Sequence, residues 1–196
     1  MPESRNLLQL RSSARDCQGC LLWRNATQTV FGRGSGDARW VFVGEQPGDQ
    51  EDQRGEPFVG PAGKLLLRAL ADAGVAELEC YFTNVVKHFK WKPRGKRRIH
   101  QKPSGGEIAA CRPWLLAELE AIRPHATICL GATAATAVLG PNIKVLRDRG
   151  KEFASSGHGR TWVTVHPAML LRMPDRSNAE EEYRHFVRDI RRATNG

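Results

Sequence analysis

Three carboxylates, those of Glu45, Asp49 and Asp52, lie close together in a segment rich in glycine and proline that runs from Gly44 to Gly63. This composition predicts a rigid, tightly turned segment, because proline fixes its own backbone angle and glycine permits turns that other residues disfavour. Carboxylates at the mouth of such a segment could stabilise a reaction centre that develops positive charge. A solvated acidic loop is the simpler alternative.

A basic segment, residues 85–106, carries eight lysine and arginine side chains and no acid, in a chain of net charge +9. Aromatic and histidine rings lie among these cations. Cations displace counterions from phosphates and flat rings stack on bases, so the mixture suits nucleic-acid binding, with a solvated basic loop as the open alternative. Acids facing this segment across one cleft would suit a positively charged transition state on an anionic polymer.

The cysteines predict a metal site. Cys17 and Cys20 form a Cys-x-x-Cys pair, and Cys111 opens the helix that follows the basic segment. Disulfides are not expected in a chain interpreted as cytoplasmic, so metal binding is the better interpretation of the pair. Three candidates remain open for a fourth ligand: His88, Cys80 and Cys129. Spacing alone does not separate zinc from an iron–sulfur cluster.

The elements that position these residues alternate between strands and helices. Apolar runs typical of buried parallel strands occur at residues 40–43, 81–86, 126–130 and 161–165. Helices are expected from about residue 62 to 74, after a capping box formed by Ser104 and Glu107, over 132–139, and from Asn178 onward. The pattern predicts an α/β fold: one domain over residues 1–196 with a parallel, four-stranded sheet flanked by helices.

Ligands bind beyond the carboxyl ends of the strands in such sheets, so the chemistry is expected in the segments that follow them. These segments are residues 44–63, 87–103, 131–133 and 166–172. The composition, with 40% hydrophobic and 26% charged residues, is that of a folded globular protein. No run approaches the ~18 apolar residues of a membrane span, and the first fifteen residues lack the apolar core of a secretory signal. A cytoplasmic protein without a membrane partner is therefore expected.

Several motifs, in order, resemble those of the family-4 uracil-DNA glycosylases. They are the blocks at residues 44–48 and 56–63, the strand and following turn at 81–87, and the His-Pro-Ala block at 166–168. The resemblance runs from about residue 17 to residue 172. It implies the three-layer sandwich of the uracil-DNA glycosylase superfamily and a [4Fe-4S] cluster that serves structure and DNA positioning. The implied ligands are Cys17, Cys20, His88 and Cys111.

The same resemblance implies roles for the site residues. Asn84 would pair with the N3 and O4 edge of uracil, Phe58 would stack on the flipped base, and His166 would donate to uracil O2. Gln46 would contact uracil or cap the pocket through its backbone. Two alternatives stay open for the acids: Glu45 orients a nucleophile or positions water, while Asp49 and Asp52 shape the loop or stabilise the sugar cation.

Three features depart from the ordinary family-4 pattern and resemble the UdgX subgroup. They are Gln46, His88 in place of a third cluster cysteine, and an insert that ends in Lys-Arg-Arg-Ile-His at residues 96–100. Members of that subgroup become covalently attached to uracil-containing DNA through the histidine of this motif. The resemblance therefore implies that neutral His100 attacks C1′ of the sugar. Lys96, Arg97 and Arg98 are assigned to phosphates and to holding the loop over the site.

The expected function is cleavage of the N-glycosidic bond of uracil in DNA, followed by covalent capture of the sugar through His100. Single-stranded DNA is the expected substrate, because flipping a base costs less there, and a monomer is expected. The alternatives are an ordinary family-4 glycosylase that turns over, releasing uracil and an abasic site, and a non-catalytic nucleic-acid-binding module with structural zinc.

Overall fold

The computed structural model describes residues 6–154 and 159–195. The strands are β1 (Arg33–Gly34), β2 (Trp40–Gly44), β3 (Cys80–Asn84), β4 (Trp91–Arg94), β5 (Arg97–His100), β6 (Ala126–Leu130), β7 (Glu152–Phe153) and β8 (Arg160–Thr164). The helices are α1 (Leu7–Ala14), α2 (Asp49–Arg54), α3 (Pro61–Ala73), α4 (Gly105–Ile122), α5 (Ala132–Leu139), α6 (Val145–Asp148), α7 (Pro167–Leu170) and α8 (Arg176–Asn195). Among the described helices, none combines the length and the apolar composition needed to cross a membrane.

The central sheet has the strand order β1-β3-β2-β6-β8-β7. Its four inner strands are mutually parallel, which confirms the predicted four-stranded parallel sheet. Every residue of β2, β3 and β6 is buried, as expected where helices cover both faces. The antiparallel edge strands β1 and β7 were not predicted, because two residues are too few to show a periodic pattern.

Helices pack on both faces of the sheet and so form the expected three-layer sandwich. On one face, apolar side chains of α3 and α8, such as Leu66 and Phe186, pack against Phe42 and Phe82. On the other, α4 and α5 pack against Val41. The helix α4 begins with the predicted capping box of Ser104 and Glu107, and α8 begins two residues before the predicted start.

The basic segment differs from its predicted loop structure, because residues 91–100 fold into the antiparallel hairpin β4–β5. Trp91 pairs with His100 and Arg94 pairs with Arg97. Gly95 at the tip has a φ of 58°, which a two-residue hairpin turn requires and glycine adopts without steric cost. The sequence hid these strands because they carry mostly charged residues and Pro93, with no alternating apolar face.

A buried ion pair joins the helix α4 to the segment that follows the strand β3. The ammonium group of Lys87 contacts Glu118, and both side chains are at most 1% exposed. Lys87 Nζ also donates to Thr83 Oγ1 at 2.6 Å and to the Asn84 carbonyl at 2.8 Å. Glu118 Oε1 accepts from the Tyr81 hydroxyl at 2.9 Å. Each charge is therefore compensated by the other and by neutral hydrogen-bonding groups.

Replacing Lys87 with methionine should destabilise the fold by about 3–5 kcal/mol, because the Glu118 carboxylate would stay buried without its cation. The double variant Lys87→Met/Glu118→Gln removes both charges and keeps an acceptor for Tyr81, so it should recover part of this loss. Urea denaturation of the three proteins measures the free energies of unfolding. A single variant as stable as wild type, or a double variant weaker than the single one, would contradict this account.

Candidate active site

The segments that follow the parallel strands meet at one edge of the sheet, as predicted. Gly44 at the end of β2 lies in register with Asn84 at the end of β3. A side chain at Gly44 would collide with the Asn84 amide oxygen, and its Cβ would lie 2.8 Å from the Phe58 ring. Glycine at this position therefore permits the close approach of an amide to an aromatic ring.

Phe58 has a backbone conformation that is unusual for a residue with a side chain. Its φ is 58°, in the left-handed region, and its side chain is 6% exposed. A Cβ at Gly63 would overlap the Phe58 backbone, so the two segments pack in direct contact. The ring centroid lies 6.0 Å from that of Phe82. Strained backbone of this kind persists where surrounding structure enforces it, and it often occurs at functional sites.

The Asn84 side chain is buried at the same place, with the residue 3% exposed. The backbone carbonyl of Asn84 accepts a hydrogen bond from Lys87 Nζ, which fixes the backbone at this residue. Within residues 6–154 and 159–195, no protein group forms a hydrogen bond with its side-chain amide. The buried side-chain atoms without a partner, among the described residues, are Arg149 Nη2 and Trp162 Nε1, so the Asn84 amide keeps some accessible surface. An accessible amide without a protein partner is suited to bind a ligand that presents one donor and one acceptor.

His166 follows β8 and caps the short helix α7. Its Nδ1 accepts from the Ala168 amide at 3.1 Å, which assigns the proton of the neutral ring to Nε2. Burial lowers the pKa of His166 to about 4, and the Arg172 cation and the His100 ring, when protonated, act in the same direction. At neutral pH the ring is therefore an uncharged hydrogen-bond donor through Nε2.

Glu45 lies between two elements from different parts of the chain. Its Oε1 is 3.5 Å from His100 Nε2, and its Oε2 accepts a hydrogen bond from the hydroxyl of Thr133. Sequence reasoning assigned no role to Thr133, although it placed residues 131–133 among the segments expected at the site. The sequence did contain one signal for Thr133, namely a hydroxyl side chain in a short segment next to a strand end.

His100 is the last residue of β5, and its side chain is half-exposed. Partial burial lowers the pKa of its imidazole, the Arg172 cation lowers it further, and the Glu45 carboxylate acts in the opposite direction. The net shift is downward from the ordinary value near 6.5, so the ring is neutral at physiological pH. A neutral imidazole beside a carboxylate can accept or transfer a proton, or act as a nucleophile.

The structure pairs Arg98 with two aspartates, while its assignment to phosphates and to holding the loop over the site stays a prediction. Arg98 Nε lies 2.5 Å from Asp49 Oδ1 and Nη1 lies 2.6 Å from Asp52 Oδ2. Asp52 is fully buried and also accepts from the amide and hydroxyl of Thr27. Asp49, predicted as catalytic, is thus paired with Arg98 and with Gln53. Both acids fasten the hairpin to α2.

The side chain of Gln46 bonds to the backbone on both sides of the hairpin, and the prediction that Gln46 contacts uracil or caps the pocket through its backbone stays a prediction. Its Nε2 donates to the carbonyls of Lys90 and Gln101 at 3.2 and 3.1 Å, and its Oε1 accepts from the Lys90 amide at 3.3 Å. Lys90 and Gln101 directly flank the hairpin. The buried amide of Gln46 therefore holds the base of the hairpin. Lys96 and Arg97, by contrast, are exposed, and their assignment to DNA stays a prediction.

Cys17, Cys20 and Cys111 of the predicted metal site are near enough to one another to interact electrostatically, but the described residues do not arrange them as a metal-binding group. Cys17 Sγ accepts from the Trp114 indole at 3.3 Å, and Cys111 Sγ accepts from the Lys87 amide at 3.2 Å. Burial raises the pKa of Cys111 to about 11, and the nearby Cys20 and Cys17 add to this effect. Cys80 and Cys129 lie in β3 and β6 and are buried in the apolar core.

His88, the fourth predicted ligand, is buried, and its Nε2 lies 2.9 Å from Thr29 Oγ1. Across the part of the chain that the structure describes, no group of three or more His, Cys, Asp or Glu side chains is arranged to hold a metal ion. A cluster makes a different demand, because each of its ligands binds a separate iron. The N–H groups directed at two sulfurs fit thiolate ligands of a cluster.

The fold and the strand-end site define the class of protein. The family model described as the uracil DNA glycosylase superfamily matches residues 31–191. The chain therefore belongs to the uracil-DNA glycosylase superfamily.

Within that class, the chain is similar to enzymes named type-4 uracil-DNA glycosylases. It is 39% identical to one from Thermotoga maritima over 91% of this chain and 88% of the relative. It is 36% identical to one from Saccharolobus solfataricus, over 91% of this chain and 84% of the relative. A third type-4 enzyme, from Archaeoglobus fulgidus, is also 36% identical, over 89% of this chain and 86% of the relative.

The low pKa of His166 predicts a specific loss of stability in acid. The unfolded chain binds a proton on this ring near pH 6.5, whereas the folded protein binds it only near pH 4. Stability should therefore fall as the pH drops between these values, by about 2 kcal/mol from pH 7 to pH 5. The variant His166→Asn keeps an acceptor for the Ala168 amide but has no ring to titrate, so it should lack this part of the stability loss between pH 7 and pH 5.

The measurement is the free energy of unfolding in urea at both pH values for wild type and variant. Carboxylates titrate in both proteins, so the difference between the two pH dependences isolates His166. Equal pH dependences would show that the ring is not held neutral.

Proposed function

We propose that this protein excises uracil from DNA by cleaving the bond between the base and C1′ of the sugar. The observation that carries the proposal is the convergence of Phe58, Asn84, His166 and Glu45 at the strand ends of a uracil-DNA glycosylase fold. The similarity to type-4 uracil-DNA glycosylases supports the substrate.

The pocket explains why uracil would be chosen. A flipped base would stack near the Phe58 ring, while the Asn84 amide oxygen accepts from N3–H and its nitrogen donates to O4. Cytosine presents the opposite pattern on this edge, so it would leave buried polar groups unpaired, which is costly. The proposed specificity therefore comes from one amide whose backbone is fixed by Lys87.

The chemistry follows from charge. As the N-glycosidic bond breaks, the bonding electrons leave with uracil and the sugar develops oxocarbenium character. His166 Nε2–H would donate to uracil O2 and stabilise the departing anion. The carboxylate of Glu45 would stabilise the sugar cation or orient the water that attacks C1′. The similarity to type-4 enzymes favours water as the nucleophile and turnover as the outcome.

A second candidate is covalent capture by His100, as in the UdgX subgroup. The observation that favours it is the position of His100 beside Glu45, on a hairpin fastened by Arg98 and Gln46. In this reaction the lone pair of an unprotonated ring nitrogen forms a bond to C1′. The electrons of the N-glycosidic bond leave with uracil, and Glu45 takes the ring proton. The lowered pKa of His100 supports a neutral nucleophile.

Incubation with a labelled single-stranded oligonucleotide containing one uracil tests both candidates on a denaturing gel. Free DNA that breaks at the uracil position in alkali would support turnover. A uracil-dependent band at the mass of protein plus DNA, stable to heat and SDS, would support capture. Neither product, from protein that binds the oligonucleotide, would contradict the proposed function and favour a binding module. The same uracil in a duplex tests the proposed preference for single strands, because flipping costs more there.

If His100 captures the sugar, the variant His100→Ser should lose the stable band and release abasic DNA, because water then reaches C1′. His185→Ser, a histidine variant on α8 and away from the site, is the matched control and should behave as wild type. A stable band that persists in His100→Ser would identify another nucleophile. Absence of the band in the wild-type protein would reject capture by His100 and leave DNA binding as the role of the hairpin.

We further infer a [4Fe-4S] cluster held by Cys17, Cys20, Cys111 and His88. The support is the family resemblance and the N–H groups directed at the sulfurs of Cys17 and Cys111. Burial lowers the pKa of His88, which keeps its ring neutral as a ligand must be. The cluster would join the N-terminal segment to α4 and would supply structure rather than redox turnover.

Purified protein should therefore be brown and contain iron and acid-labile sulfide in equal amounts. Cys17→Ser should lose the colour and destabilise the fold, because a metal group bound only by the folded state stabilises it. Cys129→Ser, in the apolar core, should keep the colour in whatever protein folds. Zinc without sulfide in the wild-type protein would contradict the cluster assignment.

A further inference from the structure

The carboxylate of Glu45 is held by two contacts of different kinds. One oxygen faces His100 at 3.5 Å, which is long for a hydrogen bond, and the other accepts directly from the Thr133 hydroxyl. Glu45 is the first residue after β2, and its side chain is 23% exposed. Of the two contacts, the one with Thr133 is thus the closer and determines the direction of the carboxylate.

Thr133 is itself rigidly placed. It is the second residue of α5 and is 7% exposed, and Gly131, which precedes α5, has a φ of 87°. Branching at Cβ limits the rotamers of threonine in a helix, so the hydroxyl has few alternative positions. The first turn of α5 also presents unpaired N–H groups, whose partial positive charge favours a carboxylate beside it.

We propose that Thr133 is a positioning residue that fixes the Glu45 carboxylate for uracil excision. This inference rests on the proposed function and adds a residue to it. Without the hydroxyl, the partly exposed carboxylate could rotate toward solvent. The sugar cation and the attacking nucleophile both need Glu45 in one orientation, so the consequence falls on the chemical step.

The magnitude follows from the sensitivity of catalysis to position. Misplacement of a reacting group by about 1 Å costs on the order of 100-fold in rate. A carboxylate that has lost one of two contacts still visits its productive orientation, so the expected loss is about 10- to 100-fold. DNA binding should not change, because Thr133 is buried beneath the carboxylate and contacts no exposed cation of the hairpin.

The test compares three substitutions on the same helix. Thr133→Val removes the hydroxyl at nearly constant shape, and Thr133→Ser keeps it. Thr136→Val makes the same chemical change at an exposed position of α5, away from Glu45, and is the matched control. For each protein, the single-turnover rate of uracil release and the affinity for an oligonucleotide with a stable abasic-site analogue are measured.

We expect Thr133→Val to lose about 10- to 100-fold in rate at unchanged affinity, while Thr133→Ser and Thr136→Val keep most of the rate. A second comparison uses the variant Glu45→Gln, alone and combined with Thr133→Val. If Thr133 acts through Glu45, the double variant Thr133→Val/Glu45→Gln should be no slower than Glu45→Gln alone. A general loss of folding would not give this non-additivity, nor rescue by serine.

Three results would overturn the inference: Thr133→Val at the wild-type rate, Thr133→Ser as slow as Thr133→Val, or multiplicative losses in the double variant. Failure of the proposed function has a different signature, since the wild-type protein itself would then release no uracil. The two failures are therefore distinguishable in one set of measurements.

Discussion

The position of the basic hairpin depends on one guanidinium group. Arg98 bridges Asp49 at the start of α2 and the fully buried Asp52 one turn later, and Gln46 secures the strands where they leave the core. Charge-assisted pairs of this kind are stronger than neutral hydrogen bonds. Because the hairpin carries no apolar face of its own, these contacts determine that His100 lies beside Glu45 rather than in solvent. The acids of the segment after β2 thus serve architecture first, and only one of them faces the proposed reaction centre.

The opposite wall of the pocket is fixed by contacts of another kind. Asn84 and Phe58 are held by backbone geometry, with Gly44 giving them room and the Lys87–Glu118 pair supporting the strand behind. A base-reading amide must not relax toward a wrong partner, so a rigid wall contributes directly to specificity. The hairpin, by contrast, is attached at its base and exposed at its tip. The molecule therefore combines a rigid wall at the strand ends with a hairpin that is attached at its base.

Much of this arrangement could be predicted from the sequence, since buried parallel strands read as apolar runs and their ends define the site. The capping box of Ser104 and the cysteine pair were equally visible. The contacts that decide side-chain roles were not, because they join residues far apart in the chain. The pairing of Arg98 with Asp52 spans 46 positions, and that of Thr133 with Glu45 spans 88. From its residue type Arg98 was predicted to contact phosphates and to hold the loop over the site, and only the fold shows that it pairs with two carboxylates.

We propose that the residues at the strand ends enable this protein to cleave the N-glycosidic bond of uracil in DNA. The most direct measurement of this reaction is the amount of free uracil released per protein molecule, determined by mass spectrometry after incubation with a single-stranded oligonucleotide. We expect the protein to release at least one uracil per molecule from the uracil substrate and no free base from matched thymine or cytosine oligonucleotides. We also expect a strong loss in Asn84→Ala. No free base from any substrate, or equal release of all three bases, would contradict this proposal.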